Sequence, residues 1–119
     1  MNPKKLLIVD DNPDVRAAIE EAIGGDCTVF TAGRGDEALL QFLKYGADAI
    51  ILDVELEGCL QGTDLLKLIK KGYPEIPIVM MSARYDLKNE LLQAGADRFF
   101  DKPFDLFEVR GFFSKLGFL

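Results

Sequence analysis

The sequence predicts an α/β fold: a single doubly wound sheet of five parallel strands, in the order 2-1-3-4-5, with five helices. Three observations predict it. Five short apolar runs alternate with amphipathic stretches of helical period along the whole chain, the pattern of successive strand–helix units. The runs are almost continuously apolar rather than alternating, as strands covered on both faces are. The chain has 119 residues, room for one domain over residues 1–119, and contains no linker, repeat or low-complexity tract. Right-handed crossovers then make 2-1-3-4-5 the common five-stranded order.

Each element has its own punctuation. The first strand is Leu6 to Val9, and Asn12-Pro13 follows as a cap with proline at the first helical position; Gly24-Gly25 closes that helix. The second strand, Cys27 to Ala32, leads to a helix from Asp36 to Tyr45 that Gly46 ends, with Leu39, Phe42 and Leu43 as its expected buried stripe. The third strand, Ala49 to Leu52, precedes a helix from Thr63 that buries Leu65 and Ile69, and Lys70-Lys71 suit its negative C-terminal end before Gly72. The fourth strand, Ile76 to Met81, is followed by a helix expected from Asp86 to Ala94, stopped by Gly95. The fifth, Arg98 to Phe100, leads to a helix capped by Asp105, with Glu108 placed for a capping box and Phe104 against Val109 for a hydrophobic staple. The whole is the flavodoxin-like arrangement.

Composition narrows the function. Apolar residues make up 49% and charged residues 29%, which argues against disorder and against a coiled coil. The net charge of −6 opposes phosphate backbones and anionic lipid, so no nucleic-acid or membrane partner is expected for this domain. No apolar run approaches a membrane span, and the opening Met1-Asn2-Pro3-Lys4-Lys5 does not read as a secretory signal. Cys27 and Cys59 lack the spacing of a metal or redox pair and read as reduced thiols of a cytoplasmic protein. Histidine is absent, which excludes His-based triads and most zinc sites.

Ligands in doubly wound sheets bind at the carboxyl ends of the strands. There the first strand delivers Asp10-Asp11, the third Asp53, the fourth Ser82 and the fifth Asp101-Lys102. Singly, each is an ordinary polar residue where a strand leaves the core. Together they put carboxylates, a hydroxyl and an ammonium in one crevice. Two carboxylates about 4 Å apart repel by roughly 4 kcal/mol at an effective dielectric of 20. Such a cluster needs cations: Lys102 is one, and an all-oxygen ligand set favours Mg²⁺ as another. This composition suits phosphoryl transfer, with Asp53, the central carboxylate, as nucleophile and Ser82 and Lys102 as charge-neutralising partners.

Four segments carry a family resemblance: Leu7-Ile8-Val9-Asp10-Asp11-Asn12, Ala49-Ile50-Ile51-Leu52-Asp53-Val54, Val79-Met80-Met81-Ser82-Ala83, and Gly95-Ala96-Asp97-Arg98-Phe99-Phe100-Asp101-Lys102-Pro103-Phe104. In order and spacing the chain resembles the response-regulator receiver domain of two-component signalling, of the chemotaxis-regulator type. The resemblance implies that Asp53 accepts a phosphoryl group from a sensor histidine kinase or phosphotransfer protein. It implies that Asp10, Asp11, Asp53 and the backbone carbonyl of Glu55 hold Mg²⁺, that Ser82 and Phe99 are switch positions, and that Lys102 pairs with the phosphoryl group. It also implies a cis Lys102-Pro103 bond, and a signalling domain rather than an enzyme acting on other molecules. The chain departs from the family's pattern in three places. The segment Glu55 to Gly62 lacks the family's usual proline and is about one residue longer, Glu55 adds a carboxylate, and Phe99 stands where tyrosine is frequent.

Two other classes compete. A Mg²⁺-dependent phosphatase with an aspartyl nucleophile usually carries a second Asp two residues on, where this chain has Glu55. A receiver-like interaction module without phosphorylation would not need the whole polar set. Gly33-Arg34-Gly35-Asp36-Glu37-Ala38 superficially fits a dinucleotide fingerprint, but it follows the second strand and sets two carboxylates where a pyrophosphate would lie. Seven of the nine phenylalanines fall between Phe99 and Phe118. One helix face is expected to bury Phe100 and Phe113, with Val109 and Leu116, but not Phe107, Phe112 and Phe118. The face formed by the fourth helix, fifth strand and fifth helix is therefore expected to meet an effector or a second copy.

Overall fold

A computed structural model describes residues 3–25 and 27–118. The strands are β1 (Lys5–Val9), β2 (Thr28–Ala32), β3 (Ala49–Asp53), β4 (Ile78–Ser82) and β5 (Arg98–Asp101); the helices are α1 (Pro13–Ile23), α2 (Gly35–Tyr45), α3 (Gly62–Gly72), α4 (Lys88–Gln93) and α5 (Leu106–Lys115). All strand pairs are parallel and the sheet order is β2-β1-β3-β4-β5, as the crossover argument predicts.

Each strand splits its side chains between two cores, one per face of the sheet. Leu7, Val9, Ile50, Leu52, Ile78, Met80 and Phe99 face α2, α3 and α4, where Phe42, Leu66, Ile69 and Leu91 meet them. Leu6, Ile8, Ala49, Ile51, Val79, Met81 and Phe100 face α1 and α5, against Ile19, Ile23, Val109 and Phe113. Burial on both faces is what makes these strands read as unbroken apolar runs.

The helix starts obey local chemistry. The Asn12 side chain accepts from Asp14 N–H ahead of Pro13 at α1, and Asp105 accepts from Phe107 N–H at α5. The Glu108 side chain makes no return bond among the described residues. The reciprocal bond of a capping box occurs instead at α3, where the Asp64 carboxylate accepts from Gln61 N–H at 2.9 Å. Phe104 and Val109 do share one apolar cluster, as a staple requires.

Four further expectations need correction. Leu43 is 65% exposed; α2 lies over the β2 edge of the sheet, so only the stripe Ala38, Phe42 and part of Leu39 meets the core. The fourth helix is shorter than its sequence pattern: Tyr85–Leu87 form a 3-10 turn, and only Leu91 of α4 is buried, too little packing to hold a longer helix. Phe118 is buried, 4% exposed, edge-on to Phe113. Phe112 is half-buried, with Arg98 over its ring, which leaves Phe107 (84% exposed) as the one bare ring of the three.

Candidate functional site

The pocket lies where β1, β3 and β5 end. Asp10 immediately follows β1 and is wholly buried, yet each of its oxygens has a donor: Asn12 N–H reaches Oδ1 at 2.9 Å and Lys102 Nζ reaches Oδ2 at 2.7 Å. Behind it the Arg16 guanidinium holds the Asp10 carbonyl at 2.6 Å. Asp53 closes β3 at 6% exposure, and Lys102 Nζ lies 3.1 Å from its Oδ2. One ammonium thus bridges two buried carboxylates. Asp11, exposed at the rim, completes a set of three carboxylates whose candidate ligand atoms lie within 4.8 Å of one another.

Local geometry fixes these positions. Val54 N–H bonds to Met81 O and Lys102 N–H to Ser82 O, so the ends of β3, β4 and β5 are laced together just where the polar residues emerge. The Lys102-Pro103 peptide is cis. Gly62, opening α3, packs so closely on Asp53 that a Cβ would run into the Asp53 carbonyl. Gly35 is glycine for a similar reason: a Cβ there would meet the Leu60 carbonyl. Gly35, the second glycine of the Gly33-Arg34-Gly35 run, therefore serves packing against the β3–α3 loop.

The charges do not cancel. Burial first, and the Asp10 charge second, raise the Asp53 carboxyl from 3.8 to about 6, with Lys102 and the Glu55 N–H pulling the other way. Burial disfavours the Lys102 ammonium, but its bonds to Asp10 and Asp53 outweigh that and hold its pKa above the usual lysine value. Three carboxylates with one ammonium leave a deficit of positive charge, and every donor atom is oxygen. That set fits a hard divalent cation such as Mg²⁺.

Of the other predicted residues, Ser82 is buried at the end of β4, and its hydroxyl accepts from Arg84 N–H at 2.9 Å. Phe99 is buried in the α2–α3–α4 core. Glu55 follows Asp53 by two residues in the long β3–α3 loop, where Cys59 is exposed. Sequence reasoning missed Gln61. Its side chain reaches back across that loop to Leu56 and Gly58, and no local pattern marks an amide for such a bond. Arg34 borders the same loop from outside: its backbone forms an isolated parallel bridge with that of Glu57, and a Cβ at Gly58 would press on its guanidinium.

Fold and pocket define a class of single-sheet α/β domains that gather carboxylates and one lysine at the switch point of the strand order. Within it, the chain belongs to the response regulator receiver domain family, whose sequence model matches residues 6–111. It is 34% identical over 104 residues to the nitrogen assimilation regulatory protein NtrX of Azorhizobium caulinodans, a match covering 84% of this chain and 23% of that protein. It is 33% identical over 108 residues to the transcriptional regulatory protein PrrA of Mycobacterium bovis, covering 88% of this chain and 46% of PrrA. The chain thus spans less than half the length of these relatives. The receiver domain of NtrX from Brucella abortus superposes with a TM-score of 0.84 at 30% identity, over 92% of this chain and 95% of that one. The chain is a receiver domain of the two-component response-regulator type, a signalling domain. Among the described residues no helix is long and apolar enough to cross a membrane.

Proposed function

We propose that the domain takes a phosphoryl group onto Asp53 from a cytoplasmic sensor histidine kinase or phosphotransfer protein, in a Mg²⁺-dependent reaction. The observation that carries this reading is the bridge of Lys102 between Asp10 and Asp53 inside a cluster of three carboxylates. A carboxylate raised to about 6 remains mostly ionised at neutral pH, so Asp53 keeps its lone pairs for attack on phosphorus. Asp10, Asp11, Asp53 and the Glu55 carbonyl would hold Mg²⁺, which when bound supplies positive charge for the transferring oxygens.

The protein's own groups do the rest. Lys102 already touches Asp53 and supplies a donor for a phosphoryl oxygen there. Ser82 lies at the adjacent strand end, where its hydroxyl can turn to another such oxygen. The modification adds nearly two negative charges beside Lys102. Drawing Ser82 and Lys102 inward would shift the equilibrium of the strand that carries Phe99. A groove of about 570 Å³ beside Phe99 offers the readout: Lys88 and Arg98 lie along its α4–β5 side, Asp105 and Glu108 along α5. That face would meet the effector or a second copy.

The test is incubation with Mg²⁺ and acetyl phosphate, followed by intact-mass measurement, with beryllofluoride as a non-transferable mimic. The wild type should gain one phosphoryl group and Asp53→Asn none. Labelling that persists in Asp53→Asn would overturn the assignment, and sustained turnover of a phosphomonoester would favour the phosphatase reading.

A further inference from the structure

The β3–α3 loop, one residue longer than the family's pattern and without its proline, is organised by a single side chain. The Gln61 carboxamide makes three hydrogen bonds to its backbone: Oε1 accepts from Leu56 N–H at 2.9 Å, and Nε2 donates to Leu56 O at 2.7 Å and to Gly58 O at 2.9 Å. Only this orientation satisfies all three, because the reverse would set Oε1 against two carbonyls. The Asp64 carboxylate holds Gln61 N–H in turn, so the bracket is anchored on the first turn of α3.

We infer that Gln61 is a positioning residue for the metal site, because it fixes the peptide plane that joins Glu55 to Leu56. The inference rests on the reading that the Glu55 carbonyl is a Mg²⁺ ligand. In a trans peptide the C=O of one residue and the N–H of the next lie in one plane and point in opposite directions. Holding the Leu56 N–H therefore aims the Glu55 oxygen, and the bond that this N–H donates to Gln61 Oε1 polarises the peptide and makes the Glu55 oxygen a stronger ligand for a cation. Two further contacts pin the plane's neighbours. The Glu55 N–H faces the Asp53 carboxylate and favours its ionised form, and the Leu56 side chain is buried in the apolar core. With Gln61 holding both the N–H and the C=O of Leu56, and the Leu56 side chain buried, the Glu55 carbonyl has little freedom to swing. Groups that orient a metal's ligands without touching the metal are commonly worth 10–100-fold in affinity.

The experiment compares Mg²⁺ affinity, by calorimetric titration of the whole chain, in the wild type, Gln61→Leu and Gln61→Ala. Ile69→Val serves as a control that weakens α3 packing without touching the loop. Amide hydrogen exchange at Leu56, measured without metal, reports the bracket itself. The wild type should show a protected Leu56 amide. Both Gln61 variants should show faster exchange there and Mg²⁺ binding weaker by roughly tenfold, whereas Ile69→Val should bind as the wild type does. Faster Leu56 exchange with unchanged Mg²⁺ affinity would overturn the positioning role and leave the metal reading intact. An equal loss of affinity in Ile69→Val would reduce Gln61 to a general stabiliser and overturn it likewise. A wild type that fails to bind Mg²⁺ at millimolar concentration would overturn the metal reading itself. Should Gln61→Leu not fold, the Gln61→Ala arm and the exchange measurement decide the question.

Discussion

Replacing Asp53 by Asn should make the metal-free protein more stable at neutral pH, although it removes the proposed reacting group. The carboxyl is raised from 3.8 to about 6, by burial foremost and then by Asp10. At 1.36 kcal/mol per unit, ionising Asp53 costs about 3 kcal/mol more in the folded protein than in the unfolded chain. The sign follows from linkage. The native state holds this proton more tightly, so the stability it confers is fully present below pH 3.8 and is lost as pH rises through about 6. At pH 7 the wild type has lost nearly all of it. Asparagine, neutral throughout, loses none.

The charge-assisted bond from Lys102 is already contained in that shift, since it draws the carboxyl downward, but solvent reaching the mouth of the pocket screens the penalty by about 1 kcal/mol. The net gain is then about 2 kcal/mol. For 119 residues at about 2.1 cal/mol/K each, that gain raises the melting midpoint by roughly 8 °C. Urea unfolding followed by circular dichroism in EDTA, at half-unit steps from pH 4 to 8, measures it. The gap between the two proteins should open across the interval from 3.8 to about 6, where the other carboxylates cancel in the difference. An Asp53→Asn protein no more stable than the wild type at pH 7.5 would refute the reasoning. So would a gap that does not change with pH, since the effect would then not come from ionisation.

Three further outcomes follow from the same geometry. Lys102→Ala strips the ammonium from two buried carboxylates and should cost about 3 kcal/mol in urea unfolding at pH 7 in EDTA, a loss that shrinks as the medium is acidified and Asp53 takes up a proton. Gly62→Ala drives a Cβ into the Asp53 carbonyl and should lower the melting temperature, with chemical-shift changes centred on Asp53 and Val54 in a two-dimensional NMR spectrum; an unshifted spectrum would contradict the close packing. Phe113→Ala empties a fully buried site between the rings of Phe112 and Phe118 and should cost 3–5 kcal/mol in urea unfolding, with the denaturant slope preserved.

Much of this fold is legible in the sequence because its signals are local or periodic. Continuously apolar strands announce burial on both faces, and Asn12-Pro13 and Asp105 are caps whose chemistry acts within three residues. The polar strand ends could be gathered into one crevice because parallel topology puts all carboxyl ends on one rim. The failures share a cause: each depended on what a neighbouring element covers. Leu43 has the period of a core residue, but the periodicity carries no notice that α2 sits at the sheet's edge. Phe118 lies beyond the last helix and is buried only because the chain turns back beneath Phe113. Gln61 is opaque for the same reason, since an amide in a polar loop looks solvated until the loop's path brings Leu56 to it.

The electrostatics of Asp53 and the packing of Gly62 argue together that this corner of the molecule is arranged for something other than stability. A sheet of this kind could end β3 in a neutral residue and be more stable by about 2 kcal/mol on the arithmetic above. It keeps instead a buried carboxylate beside another, relieved by one ammonium shared between them, with the next helix pressed against its carbonyl. Such a site remains short of positive charge, and two of its three carboxylates, Asp10 and Asp53, are held apart from bulk water. An added cation relieves that shortage directly. On the proposed reading, a phosphoryl group would turn the carboxylate into an acyl phosphate, a mixed anhydride that brings more negative charge into the pocket and so calls on Lys102, a cation and the hydroxyl of Ser82 together. The low stability of the resting pocket and its readiness for a cation are thus one property: the repulsion that lowers the resting state's stability is free energy that cation binding releases.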